Sequence, residues 1–238
     1  MTFGSLFAGI GGFDLGLERA GMKCCWQVEK DPFCQKVLAK HWPDVKRYKD
    51  IKDVKKPESV DLVCGGFPCQ PFSVAGKRNG ANDDRYIRPE MLRIIREIRP
   101  RWVIAENVPG IVRMALDTVL SDMEGQGYSC RAVIIPACAV DAPHRRDRVW
   151  IIANTDSERL QKCVTATIPE RPGFYCRGSD QGRREWAPES GVHRVDDGVS
   201  GRVDRIRALG NAVVPQVVEQ IGKIIIGIEG QQKTRWEG

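Results

Sequence analysis

No apolar run in the chain approaches the roughly 20 residues that a membrane-spanning helix requires. The opening stretch MTFGSLFAGIGG lacks both the basic start and the cleavage site of a secretory signal. A cytoplasmic protein with no membrane partner is expected. Histidine is scarce, at three residues, and the nine cysteines are irregularly spaced, with no paired CxxC element. That pattern disfavours zinc and a disulfide framework, so no metal site is expected and most thiols should be reduced and buried. Compositional bias is also missing, since 42% hydrophobic and 29% charged residues exclude the disordered and fibrous classes. A formal net charge of +6 permits attraction to a polyanion without establishing it. At 238 residues the chain can bury one large core in one or two domains.

What is present is an alternation of short apolar runs with helical patterns over the first two thirds, the mark of an α/β fold built on a parallel sheet. Candidate strands cover residues 3–7, 24–28, 60–64, 102–105, 129–135 and 149–153. Helical spacing is clearest over 90–98, where Met91, Leu92, Ile94, Ile95 and Ile98 form one buried face and Arg93, Arg96 and Glu97 remain in water. From Asn154 to Gly201 the pattern gives way to Gly, Arg, Pro and Ser with nearly balanced charge, which reads as an insertion. Regular structure resumes near Leu209 and runs through an apolar closing helix. The expected organisation is a catalytic domain over 1–153 and 202–238, interrupted by 154–201.

Three loops carry chemistry. The first, LFAGIGGFDLGLE, places Gly9, Gly11 and Gly12 between a strand and a helix beginning near Phe13, where glycines let backbone approach a ligand; a tight turn with no ligand remains the plain alternative. About 20 residues on, Glu29 ends the next strand, where a carboxylate can accept from a ribose diol. The GxGG spacing favours adenosylmethionine over NAD. Asp50 and Ile51 offer an acceptor and an apolar wall for adenine, or simply end a loop. The second loop, DLVCGGFPCQPFS, sets Cys69 between prolines at the carboxyl end of a strand, a rigid setting that suits a nucleophile. Cys24, Cys25, Cys34, Cys64, Cys130 and Cys138 instead suit small buried hydrophobes. In the third, ENVPG, Glu106 emerges at the same sheet edge if the two strands are neighbours, as a general acid or as an ordinary strand-end carboxylate. Arg146 and Arg148, two residues apart, would point to one face and grip a polar ligand, or sit on the surface.

In this order, FAGIGG, Glu29, Asp50-Ile51, GGFPCQPFS, Asp84-Arg85, ENVPG, the arginine pair and GNAVVP resemble the DNA (cytosine-5-)-methyltransferase family over nearly the whole chain outside the insertion. The resemblance implies a class I methyltransferase sheet, Rossmann-like and mostly parallel. It also implies S-adenosyl-L-methionine as cofactor and double-stranded DNA as partner, with the chain acting as a monomer. It implies that Phe7, Gly9, Gly11, Glu29, Asp50, Ile51, Asn211 and Val213 line the cofactor pocket. Cys69 is then the nucleophile toward a flipped cytosine, Glu106 contacts ring nitrogen 3, and Arg146 and Arg148 help hold the base and the glutamate. The insertion takes the place of the target-recognition region, with residues 75–81 as a lid. His144 stands where the family usually has glutamine, and Arg202 or Arg205 stands in for the element ahead of GNAVVP. An RNA methyltransferase acting on tRNA, a silent DNA-binding scaffold and a nicotinamide-dependent dehydrogenase are the competing readings.

Overall fold

The computed structural model describes residues 1–67, 87–167 and 202–233. Its centre is a seven-stranded sheet in the order β3-β2-β1-β4-β5-β7-β6. Here β1 is Thr2–Leu6, β2 Lys23–Val28, β3 Lys46–Tyr48, β4 Leu62–Gly66, β5 Trp102–Asn107, β6 Ser129–Pro136 and β7 Asp147–Asn154. The first five strands pair in parallel, and β7 runs antiparallel against both β5 and β6. Helices α1 (Gly12–Arg19), α2 (Pro32–His41), α3 (Ile87–Ile98), α4 (Ile111–Met114), α5 (Leu116–Glu124), α6 (Ser157–Thr167), α7 (Arg202–Asn211) and α8 (Pro215–Lys233) complete it.

The central strands are apolar on both faces, and their period of two sends alternate side chains into two separate cores. Leu62, Cys64, Trp102, Ile104, Trp150 and Ile152 pack with α1, α6 and α8. Their neighbours Val63, Val103, Ala105, Val149 and Ile151 pack with α3 and α5 on the other side. The chain winds outward from β1 to β3 in one direction and from β4 to β5 in the other. A crevice therefore opens at the carboxyl ends of β1 and β4, where open sheets of this kind bind ligands.

Contacts between α1 and α8 depend on missing side chains. A Cβ on Gly16 would lie 2.6 Å from the Pro215 carbonyl oxygen and 2.5 Å from Val218 Cβ. Alanine in a helix is ordinarily favoured over glycine by about 0.5–1 kcal/mol, but a forced overpacking against backbone costs about 1–3 kcal/mol. Gly16→Ala is therefore expected to lower stability by about 1–2 kcal/mol, read as a lower urea midpoint with unchanged slope; a raised midpoint would contradict the close approach.

Four features differ from expectation. Strand β3 was not anticipated, because three residues are too few to show a period. Residues of the segment assigned to the insertion form α6, whose Leu160 and Cys163, three apart, are buried in the core beside α8. Helix α7 is already under way at Arg202, ahead of the expected resumption of regular structure near Leu209, and it stops at Asn211 before α8 begins at Pro215. In α3, Met91, Ile94 and Ile95 are buried as expected, yet Arg93 is not left in water. Its guanidinium donates to the Ile51 carbonyl at 3.0 Å and the Val54 carbonyl at 3.1 Å, flanked by Glu90 and Glu97.

Candidate active site

A cleft of about 940 Å³ occupies the crevice, near the upper end for a small-molecule cofactor. It is walled by the exits of β1, β2, β4 and β5 and by α7 with the turn that follows it. Phe7 leaves β1 at φ 53, a region that a non-glycine residue seldom occupies, and the turn it starts brings Gly9 to the cleft with nothing within 4 Å of where a Cβ would be. The Gly9 amide donates to Glu29 Oε2 at 2.7 Å, and the Asp31 amide donates to Glu29 Oε1 at 2.7 Å. The Glu29 amide in turn donates to the Tyr48 carbonyl at 3.1 Å, so the short β3 helps fix this carboxylate. A carboxylate has about four lone-pair sites, so two remain for a diol. Asp50 caps the 3-10 turn Ile51–Asp53 through the Lys52 amide at 3.0 Å, and Ile51 is buried against the wall that Arg93 anchors. An exposed backbone, an acidic strand end and an adjacent apolar wall fit a nucleoside cofactor.

At the other end of the cleft, β4 and β5 pair so that Gly66 lies opposite Glu106. Glu106 is buried and ion-paired with Arg148, Nε to Oε1 at 2.8 Å. Burial pushes its carboxyl above the usual carboxylate range, outweighing Arg148 and then Arg146, which pull it down. Asn107 donates from Nδ2 to the Phe67 carbonyl at 2.9 Å and accepts the Val108 amide at 2.9 Å, tying the exit of β4 to that of β5.

Burial pushes up the thiols of Cys24, Cys25, Cys34, Cys64 and Cys130, Cys34 and Cys130 to about 12, so each is held as a neutral thiol and none is a ready nucleophile. Cys69, Asp84 and Arg85, the lid over 75–81 and the insertion over 168–201 lie outside the described residues.

A family model for C-5 cytosine-specific DNA methylases matches residues 1–174. The chain belongs to that family. Among curated relatives, the type II methyltransferase M.HhaI of Haemophilus parahaemolyticus is 34% identical over 168 residues, 68% of this chain and 51% of the relative. The type II methyltransferase M.HgiCII of Herpetosiphon aurantiacus is 35% identical over 158 residues, 63% of this chain and 36% of the relative. The chain therefore spans about a third to a half of these relatives' lengths. The methyltransferase EhMeth of Entamoeba histolytica superposes with a TM-score of 0.63 at 15% identity, covering 95% of this chain and 98% of that one, which shows a shared fold.

Of the residues that resemblance to the methylase family marks for the cofactor, Phe7, Gly9, Glu29, Asp50, Ile51, Asn211 and Val213 all line the cleft. Gly11 does not. It serves as the left-handed N-cap of α1 at φ 88, and a Cβ there would lie 2.4 Å from the Trp42 ring. The next glycine has a packing task as well, since a Cβ on Gly12 would lie 2.8 Å from Val213. Glu106 and Arg148 line the cleft, whereas Arg146 turns its guanidinium to the Gly210 and Ala212 carbonyls at 2.7 and 2.8 Å. This arginine thereby holds the GNAVVP turn to the start of β7. His144 is exposed in the turn before β7. Within ENVPG, the task of Asn107 is not visible in the sequence. The only available signal was an amide side chain beside a strand-end glutamate, and its partner, a backbone carbonyl 40 residues earlier, leaves no mark on composition.

Proposed function

We propose that the chain transfers a methyl group from S-adenosyl-L-methionine to carbon 5 of a flipped-out cytosine in double-stranded DNA, through a covalent adduct on Cys69. The observation that carries this reading is the buried Glu106, its carboxyl pushed up by burial, beside the exit of β4 at the same sheet edge as the cleft that Gly9, Glu29 and Ile51 line. Cys69 follows the anchored Phe67 by two residues in the sequence. Membership of the cytosine-specific methylase family supports the same reading.

Carbon 5 of cytosine is too weak a nucleophile to be alkylated directly. Addition of the Cys69 thiolate at carbon 6, with Glu106 giving its proton to nitrogen 3, makes carbon 5 enamine-like and nucleophilic. The bound cofactor supplies an electrophilic methyl group. Loss of the carbon 5 proton to a base then expels the Cys69 sulfur as thiolate, nitrogen 3 gives its proton back to Glu106, and the aromatic ring is restored. Arg148 holds Glu106 toward the cleft, and Asn107 holds the segment leading to Cys69. Because the target atoms are inaccessible in a stacked duplex, the base must swing out, at a cost of a few kcal/mol.

The test incubates the purified chain with methyl-labelled adenosylmethionine and either duplex DNA or tRNA, then maps modified positions by bisulfite sequencing. Label at cytosine in DNA is the expected result. Label in tRNA alone, or on adenine, overturns the proposal.

A further inference from the structure

Helix α7 lies along one wall of the cleft, to which Asp204, Arg207 and Ala208 contribute. It buries little apolar surface there. Of its described apolar side chains, Ala208 is buried, but Val203 and Leu209 are 71% and 56% exposed. Polar ties carry more of its attachment. Arg146 grips the carbonyls at its carboxyl end, and Arg207 Nη2 donates to Asp31 Oδ2 at 2.6 Å across the cleft, with Asp204 of the same helix at 3.3 Å. Asp31 is well prepared for this partner. Its other oxygen caps α2 through the Phe33 and Cys34 amides at 2.9 and 3.0 Å, and its own amide bonds to Glu29. The Cys34 amide, and then Phe33 and Arg207, outweigh partial burial and hold its carboxyl below the usual range, so it remains an anion at neutral pH.

We propose that Arg207 is a positioning residue for the cofactor: its ion pair with Asp31 holds α7 and the following turn against the mouth of the cleft, so that adenosylmethionine exchanges when the pair opens. This inference rests on the adenosylmethionine reading above. The pair is half exposed, so its contribution is modest and weakened by salt. Asp31 also caps α2, and a substitution there would mix two effects, which makes Arg207 the informative position.

The experiment measures dissociation of adenosylmethionine from the full chain by stopped-flow competition. It compares the unaltered protein with Arg207→Ala, Arg207→Glu and Arg207→Lys at low and high salt. Arg207→Ala is expected to dissociate about three- to five-fold faster at low salt. Arg207→Glu, which faces Asp31 and Asp204 with like charge, should be faster still by about ten-fold. Arg207→Lys should restore most of the slow dissociation, and the difference between the unaltered protein and Arg207→Ala should close at high salt. Equal dissociation rates for the unaltered protein and Arg207→Ala, or a difference insensitive to salt and to the lysine variant, would overturn the positioning role while leaving the cofactor reading intact. Absence of adenosylmethionine binding by the unaltered protein would overturn both.

Discussion

Cys69→Ala is expected to lower methyl transfer by at least about 10⁴-fold, because cytosine carbon 5 is not nucleophilic without the covalent step. Cofactor affinity should be unchanged within error. The measurement is incorporation of labelled methyl groups into DNA, paired with calorimetric titration of adenosylmethionine. An oligonucleotide carrying 5-fluorocytosine sharpens it. Fluorine replaces the proton that must leave carbon 5, so the unaltered protein should accumulate a DNA adduct that peptide mapping places on Cys69, and the alanine variant should form none. Five described thiols are pushed upward by burial and have little thiolate to offer. Turnover retained in Cys69→Ala, or an adduct mapped to Cys176, would refute the assignment of the nucleophile.

The second large effect belongs to Glu106. Glu106→Gln should lower kcat by about 10²–10³-fold, since an amide can still donate a hydrogen bond to nitrogen 3 but cannot hand over its proton. The pH profile gives a second readout with a definite sign. Burial raises the carboxyl, so the neutral acid persists to higher pH than in an ordinary glutamic acid, and kcat/KM should fall as pH rises through that displaced value. Arg148 is the largest charge pulling it down, so Arg148→Gln should move this alkaline limb to higher pH even as the rate falls from lost positioning. Glu106→Gln should lack the limb altogether. A limb that persists in Glu106→Gln, or that stays in place in Arg148→Gln, would show that another group carries the proton.

Much of this arrangement was legible along the chain. The apolar runs around 60–64, 102–105 and 149–153 read as strands because residues buried on both faces must be apolar nearly without interruption. The strand-end positions of Glu29 and Glu106 followed from the runs at 24–28 and 102–105. Helix α3 declared itself through Met91, Ile94 and Ile95 at helical spacing. The three-residue β3 escaped notice, as did the helical character of 157–167 within a stretch otherwise rich in turn formers.

The sequence by itself determined the alternating α/β plan, the order of its motifs and the chemical types gathered at one sheet edge, because burial pattern and loop chemistry are local properties written in consecutive residues. The tertiary structure alone decided which of those residues meet. It gave Gly11 to Trp42 and Gly12 to Val213, and it turned Arg146 to the carbonyls of the closing turn while Arg148 met Glu106. It also brought Asp31 to Arg207, 176 residues apart. Such pairings depend on how strands order and helices dock, and the free energy of a contact between distant segments has no signature in either segment on its own.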